Sequence, residues 1–559
     1  MTFCCRRAAA LLAVIATVAG IAALSACSGP TAAHLDYAVD GALSSYNAST
    51  VSGAASAGAQ AFARTLIGFG YHGPDGQVVA DHDFGTVSVV SRAPLVLDYQ
   101  IADAAVYSDG KPITCDDVVL SWAAQSGRFP GFDAASRAGY ADIASVECKS
   151  GDKTARVSFA PDRNVVDYQQ LFTATSIMPA HVIATELNED LYKITGALRN
   201  PDVVDESMVG KIAQAWNTTW QLQPGLKPDI DTGHFPSSGP YRIDSVIDGG
   251  AVVLVANDRW WGAKPVTKRI TVWPQSADIQ DRVNKRKIDV VDVATGSAGP
   301  LNIPDDYQGV DAPSGGIEQL IFAPQGPLAD PPARRAVALC TPRDVIAQEA
   351  GVPISDSRLN TAADDAFDQA EQAPDTGQFA RANPDAARDA LAGKPLAVRI
   401  GYRGPNPRLA AIVGAITNSC SPAGITVEEF SASDLGPEAL RDGRIDVLLA
   451  STGGATGSGS TGSSAMDAYD LHSGNGNNLS GYHNDQIDGI INQLATTVDP
   501  AQQARLLGES APVLWADLPT LPLYRQQRTL LTSKKTYAVG LNPTRWGAGW
   551  NMDRWALHK

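Results

Sequence analysis

From Tyr241 to Val246 the side chains alternate between faces, the spacing of a strand with one buried side. Asp248-Gly249-Gly250 then supplies a tight reversal, because glycine takes positive φ without strain. The apolar run Val252 to Val255 completes a hairpin that stops at the aromatic Trp260-Trp261-Gly262. The same patterns predict strands at Leu35–Val39, Thr86–Val90, Leu95–Ile101, Thr154–Phe159, Arg269–Trp273 and Asp289–Val293. Ala54–Phe69 is small and apolar and reads as helix. Thr114 with Asp117 three residues on has capping-box spacing and opens a helix through Trp122. Residues 186–232 are polar, carry Pro201, Pro224 and Pro228, and read as an irregular excursion. Ala294–Pro304, with Gly296 and Gly299, reads as a crossover between lobes.

Beyond it, strands at Ile317–Ala323, Leu396–Tyr402, Ile425–Phe430 and Ile445–Ser451 alternate with helices at Ala333–Glu349, Arg408–Ser419 and Gly436–Gly443. That order favours an α/β sheet with helical crossovers. Residues 353–384 are rich in Asp, Ala and Gln and read as a surface loop. Helices follow at Asn484–Leu494 and Asp499–Trp515, the second with Asp499 as N-cap and Pro500 at its first position. The C-terminal stretch from Leu521 to Trp555 returns to strand and aromatic character.

The chain has 559 residues, enough for several domains and a large core. Net charge is −16, and −18 once Arg6 and Arg7 leave with a leader. Such an acidic balance argues against nucleic acid, whose phosphates need a basic surface. Arg6-Arg7, the apolar run Ala8–Ala23 and Leu24-Ser25-Ala26-Cys27 have the order of a secretory signal over residues 1–26. Leu-Ser-Ala-Cys also resembles the bacterial lipobox, which implies acylation of Cys27, palmitate being one such chain, and anchoring to the outer face of the cell membrane. An ordinary signal with an incidental cysteine is the alternative. Residues 27–34 would be a tether.

Three stretches resemble one family, the extracellular solute-binding proteins (family 5) of oligopeptide- and dipeptide-type ABC importers. The first is Gly239-Pro240-Tyr241 followed by Asn257, Trp260, Trp261, Gly262 and Pro265. The second, and more specific, is Tyr107-Ser108-Asp109-Gly110-Lys111-Pro112-Ile113-Thr114 with Asp117-Val118. The third is Gly476–Tyr482 with Asp485 to Asp488. The resemblance implies a two-lobed periplasmic-binding-protein-like α/β fold (class II, cluster C) with a subdomain inserted in the first lobe. Its expected division is 35–65, 233–312 and 522–559 for lobe I, 66–232 for the subdomain and 313–521 for lobe II. After Cys4, Cys5 and Cys27, four cysteines remain, and an even number in an oxidising compartment suggests two bridges. Of three pairings, Cys115–Cys148 and Cys340–Cys420 keep each bridge within one expected domain.

Residues 451–464 contain Gly457-Ser458-Gly459-Ser460-Thr461-Gly462, literally a dinucleotide fingerprint. The tract is uniformly Gly, Ser and Thr, so composition alone produces the pattern, and a flexible loop at a strand's C-terminal end is the better reading. In the family, the corresponding loop faces the ligand cleft, and peptide binders often carry Asp-Pro there. This chain has no Asp-Pro at that place; Asp467 and Asp470 are its nearest acids. Cleft candidates are Tyr46, Asn47, Gly453, Gly454, Asp467, Tyr469, Tyr524, Trp546 and Trp550. Trp546 and Trp550, flanked by glycines, suit stacking on a ligand or packing in a lobe core. The eight histidines show no metal-ligand spacing, and no nucleophile elbow or Walker motif occurs, so no metal, cofactor or catalysis is expected. The family implies a monomer that captures a peptide or small solute by hinge closure and docks on an ABC permease and ATPase complex. The alternative is a lipoprotein of the same fold that binds or regulates envelope glycolipids of the phosphatidylinositol-mannoside type.

Overall fold

Leu35, Tyr37 and Val39 are buried along a first strand, β1 (His34–Val39), and strands laid on both sides of it give the chain its main sheet. In the computed structural model, residues 34–222, 233–360 and 376–558 are described. The leader, Cys27, the tether up to residue 33, and residues 361–375 of the 353–384 loop lie outside them. Nine further strands complete the sheet: β2 (Tyr241–Ile247), β3 (Ala251–Ala256), β4 (Arg269–Trp273), β5 (Val290–Ala294), β6 (Tyr307–Phe322), β7 (Leu396–Arg403), β8 (Ile425–Ala432), β9 (Val447–Ala450) and β10 (Thr520–Ser533). Their order is β8-β7-β9-β6-β10-β5-β1-β4-β3-β2. The β2–β3 hairpin turns at Gly249 and Gly250, both with positive φ, as the alternation predicts.

The fold is a two-lobed α/β periplasmic-binding-protein type, and β6 and β10 join its halves. Both are far longer than the usual five or six residues, at 16 and 14. Tyr307–Pro313 pairs with Gln527–Ser533, beside β5; Ile317–Ile321 pairs with Thr520–Arg525, beside β9. Between them the register shifts at Ser314-Gly315-Gly316. The crossing therefore lies inside these two strands, not in Ala294–Pro304. A doubly hydrogen-bonded ribbon connects the halves more stiffly than a loop, and the bulge is where it can bend.

A separate four-stranded antiparallel sheet (Gly85–Arg92, Leu95–Ile101, Thr154–Phe159, Ile143–Glu147) carries the helix Cys115–Ser126. Its capping box forms as predicted: Thr114 N donates to Asp117 Oδ2 at 2.9 Å. Cys115–Cys148 ties this helix to the sheet, and Cys340–Cys420 joins two helices in the other half.

Several expected elements differ. Ala54–Phe69 is two short helices, Val51–Ala54 and Gly58–Phe62, because its small residues serve close backbone packing. A Cβ on Gly68 would sit 2.3 Å from the Phe172 carbonyl oxygen. Within 186–232, Leu191–Ala197 and Glu206–Thr218 are helical, the second capped by Asp205 and burying Val209, Ile212, Ala213 and Trp216 at helical spacing. Pro342 splits Ala333–Glu349 into Pro331–Cys340 and Arg343–Glu349. Trp546–Trp555 is a 3-10 segment, Gly547–Arg554, where strand was expected. Among the described residues no helix is long and apolar enough to cross a membrane.

Candidate functional site

The Gly/Ser tract after β9 is the part of the chain that the seam between the halves is built around. Short hydroxyl side chains tie it down at several points. Thr452 Oγ1 accepts from Ile317 N on β6 at 3.1 Å, and Ser458 Oγ donates to the Pro543 carbonyl at 2.8 Å. Ser460 O accepts from Arg545 N at 2.9 Å, and Ser463 Oγ donates to Asp167 Oδ2 at 2.5 Å. Glycine is needed here for close approach rather than for flexibility. A Cβ on Gly457 would lie 2.7 Å from Asp40 Oδ2, and one on Gly459 only 1.7 Å from the Thr452 carbonyl oxygen. The expected loose loop is thus a fitted insert. The space a dinucleotide pyrophosphate would need is filled by Asp40, Thr452 and Thr544.

The insert surrounds a charged group. Asp467 is 5 % exposed and accepts from Ser460 Oγ (2.5 Å), Thr461 N (2.8 Å) and Thr461 Oγ1 (2.7 Å). Burial outweighs these donors and pushes its pKa up to about 6. Asp470 is raised well above the usual range by burial and then by the Asp467 charge. Arg545 feels both carboxylates, yet burial lowers its pKa, and its Nε is buried without a hydrogen-bond partner. Its guanidinium lies 4.6 Å from the Trp546 ring centroid, and Trp546 stacks on His72 at 3.7 Å. His72 Nε2 meets Gln170 Oε1 at 2.6 Å. Beside this group opens a cavity of about 730 Å³ lined by Asp75–Val78, Gln170, Gly462–Ala465, Leu494 and Leu507.

At the bend of the strand ribbon lies a second polar group. Arg408 Nη1 donates to Glu318 Oε2 and, at 2.7 Å, to the Tyr524 hydroxyl; Gln526 Nε2 donates to Glu318 Oε2 at 2.8 Å. Asp40 Oδ1, Glu318 Oε1, Gln526 Oε1 and Ser451 Oγ are buried without a protein partner. Buried polar atoms are usually paired, and these four lie close to the bend of the ribbon.

The sequence candidates divide. Asp467 and Tyr524 stand at the seam. Gly453 and Gly454 turn the chain at its edge with φ of 67° and 76°, against Asn477 and Leu479. Tyr469 is buried and stacked on His472. Tyr46 and Asn47 are buried among first-half residues, the hydroxyl 3.0 Å from Ser237 Oγ and the amide donating to the Trp216 carbonyl. Trp546 and Trp550 are core residues with Ala48, Ala59 and Ala63, and Trp550 stacks on Tyr71. Sequence reading missed Asp40, His72, Glu318, Arg408, Gln526 and Arg545. A signal existed for two of them: Glu318 and Gln526 are polar residues at buried positions of long strands.

The Asp467 shift gives a test. The folded chain keeps this proton to a higher pH than the unfolded chain, so stability falls as pH rises from about 4 to about 6. His72, lowered by burial to about 4, has the opposite sign over a similar window. Taking the difference between wild type and Asp467→Asn cancels it. The variant should gain on wild type by up to about 3 kcal/mol between pH 4 and 7, read from denaturation midpoints. A flat difference would show that Asp467 titrates normally.

Residues 86–471 match the family model described as bacterial extracellular solute-binding proteins, family 5 Middle. The chain is 69% identical over 542 residues to "Uncharacterized lipoprotein Rv2585c" of Mycobacterium tuberculosis, covering 97% of this chain and 96% of that protein. It is 27% identical over 486 residues to "Oligopeptide-binding protein OppA" of the same organism, covering 82% and 74%. Solved structures with the same fold include the Escherichia coli murein tripeptide binding protein MppA (TM-score 0.71, 17% identity, 95% and 99% covered). Another is Bacillus subtilis AppA in complex with a nonapeptide (TM-score 0.70, 15% identity, 94% and 100% covered).

Proposed function

This chain belongs to the bacterial extracellular solute-binding proteins of family 5, which are binding proteins and not enzymes, and from that premise we propose that it captures a peptide or similar small solute between its halves. In this reading a lipid on Cys27 holds the protein outside the membrane, and the loaded form docks on an ABC permease and ATPase complex. The observation that carries it is the seam itself, where Asp467 and Asp470 from the stretch after β9 face Arg545 from the C-terminal stretch. A solute with both amino and carboxyl groups has partners on either side. Asp40, Glu318 and Tyr524 add donors and acceptors along the ribbon. Ligand contacts to both halves would stabilise the closed arrangement, and only that difference in affinity can shift the hinge equilibrium. The name of the OppA relative supports the solute class. The envelope-glycolipid alternative needs open aromatic faces, whereas Trp546 and Trp550 are packed.

Native mass spectrometry of residues 28–559, produced without lipid, tests the reading. Spectra before and after mild denaturation should show a released series of peptide masses. A released glycolipid would transfer the assignment to the alternative. A protein that is empty, and whose radius of gyration ignores a peptide mixture, would refute capture.

A further inference from the structure

A second cavity, of about 470 Å³, lies at the strand ribbon, away from Asp467 and Arg545. Leu301 and Ile303, from the segment after β5, form one side. Ile346, Val352 and Ile412, from the helical layer on β7 and β9, form the other. Its walls are mostly apolar, and Ile303 among them is 49 % exposed. The volume falls within the range of small-molecule sites.

The polar end is Arg408, in the first turn of the helix Pro407–Cys420. Nη1 is used by Glu318 and Tyr524, but Nε and Nη2 are buried without partners. These are two donor nitrogens, with three N–H bonds between them, at one end of an apolar chamber. The charge around them selects the head group. Arg408 is already neutralised by Glu318, and Asp311 and Glu349 stand at the walls. A carboxylate would meet an excess of negative charge, and an ammonium has no lone pair to accept from Arg408 Nε and Nη2. An uncharged acceptor, the carbonyl of an amide or ester, meets neither difficulty.

We propose that this cavity is a hinge site for an uncharged amphiphile, with its carbonyl on Arg408 and its apolar body between Leu301, Ile303, Ile346 and Ile412. Because its walls come from both halves and its floor is the ribbon that joins them, an occupant changes the angle at which the halves rest. The site therefore tunes closure through the ribbon, sharing Tyr524 with the solute seam but without touching Asp467 or Arg545.

The test uses three probes of one length, octanamide, octanoate and octylamine, titrated into the mature chain and followed by saturation-transfer NMR. Octanamide should bind saturably and about tenfold more tightly than either charged probe. Ala411→Trp, on an exposed wall position, should weaken octanamide about tenfold or more with an unchanged circular dichroism spectrum. Tyr192→Ala, 60 % exposed on a distant helix, should change nothing. Equal binding of the three head groups, no saturable octanamide binding, or octanamide binding indifferent to Ala411→Trp would each overturn the assignment.

Discussion

Asp292→Ala should lower the free energy of unfolding by about 3–5 kcal/mol, seen as a fall in the denaturation midpoint. Asp292 on β5 is 1 % exposed and Arg528 on β10 is 3 % exposed. The carboxylate accepts from Arg528 Nε (2.5 Å), Gln60 Nε2 (2.7 Å), Ala548 N (2.6 Å) and the Tyr37 hydroxyl (3.3 Å). It thereby joins β1, β5, β10 and the C-terminal 3-10 segment. A buried pair of this kind contributes little over an apolar pair of equal shape, since desolvation offsets attraction. Removing one partner is different, because Arg528 is left charged and buried beside an empty volume. Asp292→Asn keeps the shape and most acceptors and should lose less than the Ala variant. A loss below about 1 kcal/mol for Asp292→Ala would show that water or rearrangement rescues Arg528.

Gly459→Ala should abolish solute capture, with affinity down about a hundredfold or more, while the rest of the chain stays folded. The added methyl would meet the Thr452 carbonyl oxygen at 1.7 Å. That oxygen cannot yield, because Thr452 is pinned to β6 through Ile317 N. The insert must move instead, and it takes with it Ser460 and Thr461, the donors that hold Asp467. The measurement is retention of the solute in native mass spectra against wild type. Gly489→Ala is the control. That glycine lies within the helix Asp485–Leu494 with no atom near its added Cβ, so the change should be neutral or stabilise by about 0.5–1 kcal/mol. Wild-type retention by Gly459→Ala would mean that the insert does not shape the site.

What could be read directly from the chain was local. The Tyr241–Ala256 hairpin, the Thr114–Asp117 capping box, the Asp499 cap and the Leu396–Ala450 alternation of strands and helices formed within a few residues of their expected bounds. Each depends on forces that act between near neighbours: side-chain periodicity, a cap within one turn, a glycine's φ. The two cysteine pairs also came out as expected.

Local pattern misled where small or polar residues served distant partners. Ala54–Phe69 has helical composition, but Gly58 and Gly68 press against Ser45 and Phe172 and break it. Residues 206–218 look polar, yet their apolar stripe covers a core that other segments supply. Composition gave the Gly/Ser tract as loose; tertiary structure made it a fitted wall, because Asp40, Ile317 and Pro543 reach it from far along the chain. Which charges meet was also undecided in one dimension. Asp292 with Arg528, Glu318 with Arg408, and Asp467 facing Arg545 become neighbours only once β6 and β10 cross between the halves. By itself the amino-acid order determined most of the elements and the family resemblance, and through the domains which that resemblance implies, the bridges. The tertiary structure alone decided the ribbon between the halves and the candidate site, since both are made of contacts whose energy exists only after distant strands have paired.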